Sequence, residues 1–180
     1  MPVAGSVGNA DGSDVMGGRV EDGRPATCRL LTETTPAAGE GHFFHSASVL
    51  LLSGRLAERA AGEVPGCPSG EFFEVDMYSE KGRKYDTMVG WDVPSLEVLD
   101  YEACGVSPEG LAERFIENIG YDTRGSDLFD EPIPLTPAAA PHPAVWDFEI
   151  SLLFREDLRE VCESVARDQF WFGKRCEVRG

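Results

Sequence analysis

Cysteine and histidine are the side chains in this 180-residue chain that most readily act as nucleophiles, general bases or metal ligands. The five cysteines include no C-x-x-C pair. Cys104 precedes Gly105 near the N-terminus of a predicted helix, where the helix dipole lowers a thiol pKa, and with His142 it could form a nucleophilic site. No catalytic signature surrounds Cys104. A small enzyme that uses Cys104 or the His42/His45 pair is therefore the alternative hypothesis.

The sequence lacks the residues and motifs that a metal site or a cofactor-binding site needs. His42 and His45 could place two imidazoles near one ion if the segment were helical, but a zinc site needs three or four ligands. The chain also lacks the G-x-G-x-x-G, G-x-x-x-x-G-K-[ST], G-x-S-x-G and H-E-x-x-H patterns, which mark common phosphate-binding loops, hydrolases and zinc proteases. We therefore predict no metal and no cofactor, and we favour a non-catalytic protein.

Acidic residues dominate the chain and are unevenly distributed. There are 32 Asp and Glu against 16 Lys and Arg, for a formal net charge of −16. This excess disfavours direct binding to nucleic acid or to an anionic membrane surface, because both carry negative charge. Residues 92–149 alone hold 13 acidic and two basic residues, a net charge of −11. Such a concentration suits a basic protein partner, although solubility alone is the competing explanation.

One acidic stripe lies on a helix predicted to begin at Ser107. Glu109, Glu113 and Glu117 stand at i, i+4 and i+8, opposite an apolar stripe that begins at Leu111. The following segment mixes acidic and bulky apolar residues ahead of several prolines, as groove-binding segments do. The predicted binding residues in that segment are Asp127, Leu128, Phe129, Asp130, Glu131 and Ile133.

The favoured hypothesis is an acidic protein-binding module that engages a basic protein partner and inhibits or sequesters it. An immunity protein, an inhibitor of a nucleic-acid-binding enzyme or a host-factor antagonist would act in this way. Electrostatic steering would bring the two proteins together. Leu128, Phe129 and Ile133 would then be buried as apolar anchors.

The hydrophobic pattern predicts an α+β domain over residues 42–180. Residues 71–78 and 85–91 alternate around a turn and predict a β-hairpin. Further strands are predicted over 96–101, 145–154 and 170–178. Helices are predicted over about 47–61, over 108–119 and over about 156–168. Residues 42–52 fit a buried strand as well as the start of a helix.

The predicted architecture is a single domain with a mixed, mainly antiparallel sheet and two or three helices on one face. Residues 1–41 are rich in glycine and poor in aliphatic residues, which predicts a flexible, disordered tail. Residues 121–144 contain five prolines and predict a long loop. The start of the chain has no signal-peptide pattern, no apolar run is long enough to span a bilayer, and the cysteine count is odd. These features predict a reducing, cytoplasmic location.

Overall fold

In the computed structural model of the protein, residues 2–9, 15–17, 19–30, 43–46, 49–117 and 129–180 are described. The helices are α1 (Gly54–Glu63), α2 (Tyr101–Cys104), α3 (Pro108–Glu117) and α4 (Glu156–Ala166). The strands are β1 (Pro2–Asn9), β2 (Val15–Gly17), β3 (Val20–Glu21), β4 (Arg24–Pro25), β5 (Thr27–Leu30), β6 (Phe43–Ser46), β7 (Val49–Leu52), β8 (Phe72–Tyr78), β9 (Lys84–Asp92), β10 (Ile133–Leu135), β11 (Ala144–Asp147), β12 (Ser151–Arg155), β13 (Phe170–Phe172) and β14 (Cys176–Val178).

The strands form two mixed sheets, and the predicted α+β class is confirmed. The first sheet has the order β10-β14-β1-β12-β11, and β13 also pairs with β1. The second sheet has the order β2-β5-β8-β9-β7-β6, while β3 and β4 pair separately. The pairs β5–β8 and β10–β14 are parallel, and the other pairs of the described strands are antiparallel. Where the sequence pattern predicts one sheet, the structure divides the strands between two.

The helix predicted from about residue 47 begins later, at Gly54. Strand β7 precedes it and pairs with β9, so that Leu50 lies opposite Trp91. The run of leucines suits a strand that is buried on both faces: Leu50 packs in one core cluster and Leu51 in another. Ser53 ends the strand and caps α1, because its Oγ accepts a hydrogen bond from the backbone N–H of Leu56 at 3.2 Å.

The strand predicted over 145–154 is in fact a hairpin of β11 and β12. The carboxylate of Asp147 accepts hydrogen bonds from the backbone N–H groups of Glu149 and Ile150 at 2.8 and 3.1 Å. An aspartate that binds the backbone two and three residues ahead favours a turn over a continuous strand. The alternating pattern is therefore interrupted at residues 148–150, and Phe148 lies at the tip of the turn.

Two helices pack against both sheets. One core cluster contains Leu56 of α1 and Leu158 of α4 together with Trp91 of β9 and Phe154 of β12. The opposite face of the first sheet is covered differently, because Leu111 of α3 packs there in a second cluster. The helices thus contact more than one sheet face. None of the helices in the described ranges is long and apolar enough to cross a bilayer.

Two stretches without a helical or strand pattern contain strands. Within residues 1–41, predicted as a flexible tail, the described parts include β1, which lies between β12 and β14, and β5, which pairs with β8. Backbone hydrogen bonds to a sheet need no apolar side chain, so composition alone does not determine such pairing. Within the predicted loop 121–144, residues 133–135 form β10, whereas 121–128 lie outside the described residues.

The third strand predicted over 96–101 is reduced to two isolated bridges. Ser95 pairs with Trp146 and Leu99 with Leu135, after which the chain turns into α2 at Tyr101. The segment between β9 and α2 therefore connects the two edge strands of the first sheet, because its start pairs with β11 and its end with β10.

Candidate functional site

The β11–β12 turn carries an exposed aromatic side chain beside a cavity. Phe148 is 89% exposed. Among the residues that the structure describes, no other large hydrophobic side chain is exposed. The neighbouring cavity has a volume of about 370 Å³. It is lined by Ser95, Leu96, Glu97, Tyr101, Pro108, Asp147, Phe148 and Glu149. An exposed aromatic side chain beside a cavity with carboxylate walls makes this turn a candidate binding surface.

Asp147 holds the two sides of this cavity together. Its side chain is only 1% exposed. One carboxylate oxygen, Oδ2, accepts hydrogen bonds from the backbone N–H groups of Val98 and Leu99 at 2.7 and 3.2 Å. The other oxygen, Oδ1, binds the turn at Glu149 and Ile150. A buried carboxylate with four N–H donors is stably accommodated, and it fixes the segment after Glu97 against the turn that carries Phe148.

Several negatively charged side chains surround the cavity. Burial, followed by the charges of Asp147 and Glu97, raises the pKa of Glu149 above its ordinary value. Burial raises the pKa of Tyr101 to about 12, and the nearby charges of Glu149, Glu97 and Asp147 and a hydrogen bond with Glu97 act in the same direction. Each shift is partly the effect of neighbouring negative charges. A positively charged group that entered the cavity would therefore be attracted to it.

The acidic excess of residues 92–149 is not neutralised within the described part of the chain. The ion pairs formed there join residues outside this stretch, for example Arg24 with Glu71 at 2.8 Å and Lys84 with Asp76 at 2.7 Å. No described carboxylate of residues 92–149 takes part in one. The exposed carboxylates of this region therefore form no ion pair within the described residues.

Two of the three glutamates of the predicted stripe lie in water. Glu109 and Glu113 are exposed on α3, and Pro108, the first residue of that helix, lines the cavity beside Phe148. The helix therefore extends the negative surface away from the cavity. Glu117 is the last residue of α3, but its side chain, like all of Asp127 and Leu128, lies outside the described residues.

Two predicted anchors are corrected by the structure. Phe129 and Ile133 are 5% and 0% exposed and pack in the same core cluster as Leu153. Their apolar surface is already buried within the fold, so they do not face a partner. The acidic residues between them, Asp130 and Glu131, are exposed. The acidic residues of this segment thus face solvent and its apolar residues face the core where the chain leads into β10.

Hydrogen bonds to the residues just before β14, followed by pairing with β14, account for this placement. Lys174 donates from Nζ to the carbonyl oxygen of Phe129 at 2.7 Å, and the backbone N–H of Arg175 donates to Glu131 Oε1 at 3.2 Å. Ile133 then pairs in parallel with Cys176. This segment is therefore attached to the body of the protein by hydrogen bonds as well as by apolar packing.

The Cys104–His142 pairing of the alternative hypothesis is not assembled. Cys104 lines a cavity of about 250 Å³ that includes Phe129 and Arg179, whereas His142 lines a different one. Burial, and then the charge of Asp100, raises the pKa of the Cys104 thiol. A thiol with a raised pKa is a poor nucleophile at neutral pH.

The predicted histidine pair also lacks its geometry. His45 lies in strand β6 rather than in a helix, and His42 is outside the described residues. Across the described ranges, no group of three or more potential metal ligands comes together. All five cysteines are free.

A groove adjoins the cavity beside Phe148. Its volume is about 500 Å³, and it is lined by Ser69, Gly70, Asp92, Val93, Pro94, Ser95 and His142. Ser95 borders both depressions, so the two are neighbours along the segment that follows β9. We call the second depression the serine groove. Its polar side chains are two hydroxyls, an imidazole and a carboxylate from three separate segments of the chain.

The loop that carries Ser69 lies very close to the end of β9. Gly70 has a φ of +109°, and a Cβ atom at this position would lie 3.2 Å from the backbone oxygen of Asp92. The Nε1–H of Trp91 donates to the carbonyl oxygen of Ser69 at 3.3 Å. On the other side, a Cβ on Gly66 would lie 3.8 Å from the backbone oxygen of Pro141, next to His142. Glycine is therefore needed at Gly70 in particular.

The sequence pattern does not mark Glu97, Tyr101, Phe148 and Glu149 as members of one site. The alternating pattern placed Phe148 on the buried face of a strand. The available signal was Asp147, because aspartate is depleted in strands and favours turns. The serine groove had no sequence signal, since its residues are far apart in the chain.

In comparisons with known proteins, no family model, no curated protein and no solved structure matches this chain.

Proposed function

We propose that the protein is a non-catalytic binding module that engages a basic protein partner and thereby inhibits or sequesters it. The proposed surface consists of Glu97, Glu109, Glu113, Phe148 and Glu149, and we call it the acidic surface. The observation that carries the proposal is Phe148, 89% exposed beside a cavity with carboxylate walls. An aromatic ring surrounded by negative charge suits a protein surface rich in lysine and arginine.

Binding would proceed in two stages. The unneutralised charge of residues 92–149 steers a basic partner toward the acidic surface, which raises the rate of association. A lysine or arginine side chain then enters the cavity beside Glu97 and Glu149, and its aliphatic stem packs on the Phe148 ring. The cation restores favourable electrostatics to carboxylates that now repel one another. Phe148 replaces Phe129 and Ile133 as the apolar anchor.

Inhibition follows from which surface of the partner is covered. Basic surfaces of proteins commonly serve to bind polyanions such as nucleic acids. A protein that occupies such a surface with its own carboxylates competes directly with the polyanion. The proposal therefore includes inhibitors of nucleic-acid-binding proteins among the candidate roles.

The test compares partner capture by matched variants in extracts of the cell that makes the protein. The double variant Glu97→Gln/Glu149→Gln removes two charges from the acidic surface without changing side-chain volume. The control Glu80→Gln/Glu160→Gln removes two charges from exposed positions elsewhere. Captured proteins are identified at about 0.05 M and about 0.5 M salt, because screening weakens exposed charge interactions.

The proposal expects a basic protein that the wild type and the control retain at low salt and release at high salt. The Glu97→Gln/Glu149→Gln variant and Phe148→Ala should both fail to retain it. A partner captured equally by all four proteins, or retained equally at both salt concentrations, would contradict the proposed surface. Competition between the purified chain and a polyanion for that partner then tests inhibition.

A further inference from the structure

We infer that the serine groove is a second subsite on the same binding face, and that it takes an arginine side chain of the basic partner. This inference rests on the proposed function and extends it from one charged contact to two. The groove offers Asp92, Ser69 and His142 as polar groups. None of these residues belongs to the acidic surface defined above.

Two buried polar atoms in the groove lack a hydrogen-bond partner. Ser69 Oγ and His142 Nδ1 are both inaccessible to solvent, and neither has a partner among the described residues. Buried polar atoms in native proteins are normally hydrogen-bonded, and these two atoms are acceptors beside one groove that the described residues leave unused. Both atoms can accept a hydrogen bond, since a serine hydroxyl accepts and an imidazole accepts at Nδ1 when its proton is on Nε2.

The guanidinium group matches this set of acceptors. It carries five N–H donors in a plane and has no acceptor of its own, so one group can serve the hydroxyl, the imidazole and a carboxylate together. Asp92 is exposed at the rim and supplies the negative charge. Because Ser69 Oγ and His142 Nδ1 lie beneath the groove surface, the serine side chain must rotate about its Cα–Cβ bond and the imidazole must turn when the ligand enters.

Serine, histidine and aspartate also form the triad of many hydrolases, but the geometry here differs. In a triad the serine hydroxyl is hydrogen-bonded to the histidine, and the histidine Nδ1 is hydrogen-bonded to the carboxylate. Within the described residues, Ser69 Oγ and His142 Nδ1 have no hydrogen bond at all. The groove is therefore arranged for recognition of a donor-rich group rather than for nucleophilic attack.

The position of the groove suits a partner that also contacts the acidic surface. Ser95 borders both depressions. Five residue steps separate Asp92 from Glu97, so their Cα atoms are at most about 18 Å apart. An extended partner segment of about six residues can span that distance. Two basic side chains near the ends of such a segment can reach both sites.

The test uses synthetic hexapeptides and nuclear magnetic resonance of the full chain. The main probe is acetyl-Arg-Ser-Gly-Ser-Gly-Arg-amide. Two further probes replace the first or the last arginine by glutamine. Titration should move the amide signals of Gly70 and Val93 as well as those of Glu97 and Glu149. Asp92→Asn and Ser69→Ala should each weaken binding of the two-arginine peptide by about threefold to tenfold, since each removes one acceptor of a charge-assisted bond. The matched control Glu80→Gln should leave its affinity unchanged.

A double-mutant cycle localises the second arginine. If the inference is correct, Asp92→Asn weakens one of the two single-arginine peptides much less than it weakens the two-arginine peptide. If Asp92→Asn and Ser69→Ala leave affinity unchanged while Glu97→Gln and Phe148→Ala reduce it, the second subsite is refuted and the acidic surface stands. If only the Asp92 and Ser69 variants reduce affinity, the acidic surface is refuted and the groove stands as the binding site. A two-arginine peptide that binds no variant and no wild type refutes both.

Discussion

Asp147→Asn is the sharpest test of the structural argument, because it changes one buried atom and leaves the side-chain shape unchanged. The carboxylate accepts four backbone hydrogen bonds, two at each oxygen, with lengths between 2.7 and 3.2 Å. An asparagine keeps one acceptor oxygen. Its amide group places N–H donors against two backbone N–H groups. Whichever way the amide turns, two buried donors therefore lose their acceptor.

The size of the effect follows from those two lost bonds. A hydrogen bond to a charged group contributes about 1.5–3 kcal/mol, and a buried donor left unpaired costs a similar amount. Because such terms are not strictly additive, we expect Asp147→Asn to reduce the free energy of unfolding by about 3 kcal/mol. That is a large share of the roughly 5–15 kcal/mol that holds a domain folded. Weakening of the link between residues 98–99 and the turn should also disturb the cavity.

The assay is urea denaturation at neutral pH, followed by circular dichroism and by tryptophan fluorescence. The matched control is Asp130→Asn, which makes the same chemical change at an exposed position and should shift stability by less than about 0.5 kcal/mol. A loss below about 1 kcal/mol for Asp147→Asn would refute the claim that this carboxylate holds the hairpin turn against residues 98–99.

Three further predictions concern the binding face and the loops that build it. Phe148→Ala should change the free energy of unfolding by less than about 0.5 kcal/mol yet weaken binding of the captured partner by about tenfold, as calorimetry can measure. The folded-state pKa of Glu149 is raised, so the contribution of this side chain to stability is lost as pH rises. The free energy of unfolding of Glu149→Gln should therefore increase relative to that of the wild type between pH 4 and pH 7, as urea titrations can measure. Gly70→Ala should lower the melting temperature, owing to the positive φ and the nearby Asp92 oxygen, whereas Gly62→Ala in open space within α1 should raise it.

The elements that were predicted correctly have local signals. The hairpin of β8 and β9 follows from two alternating runs around a turn. Helix α3 begins at Pro108, and the Ser107 hydroxyl accepts a hydrogen bond from the backbone N–H of Gly110 at 3.0 Å, as the sequence pattern indicates. Helix α4 likewise follows its apolar stripe. In each case the interacting residues are only a few positions apart.

The errors arise where distant residues compete with the local pattern. Residues 145–154 alternate as one strand should, but Asp147 accepts hydrogen bonds from Glu149 and Ile150 in a turn and is held in place by the distant Val98 and Leu99. Phe129 and Ile133 resemble a groove-binding segment until the C-terminal strand pairs beside them and buries them. The burial of Phe129 and Ile133 cannot be read from a window of the sequence, because the strand that buries them is tens of residues away.

The sequence by itself determined the α+β class, the local helices and hairpin, and the concentration of negative charge in residues 92–149, because these depend on composition and on short-range periodicity. Only the tertiary structure decided which carboxylates share a cavity, which aromatic ring remains in water, and which serine and histidine lie in one groove. Those relations depend on the pairing of strands that are far apart in the chain. A change in pairing moves a side chain from the core to the surface without altering the local pattern.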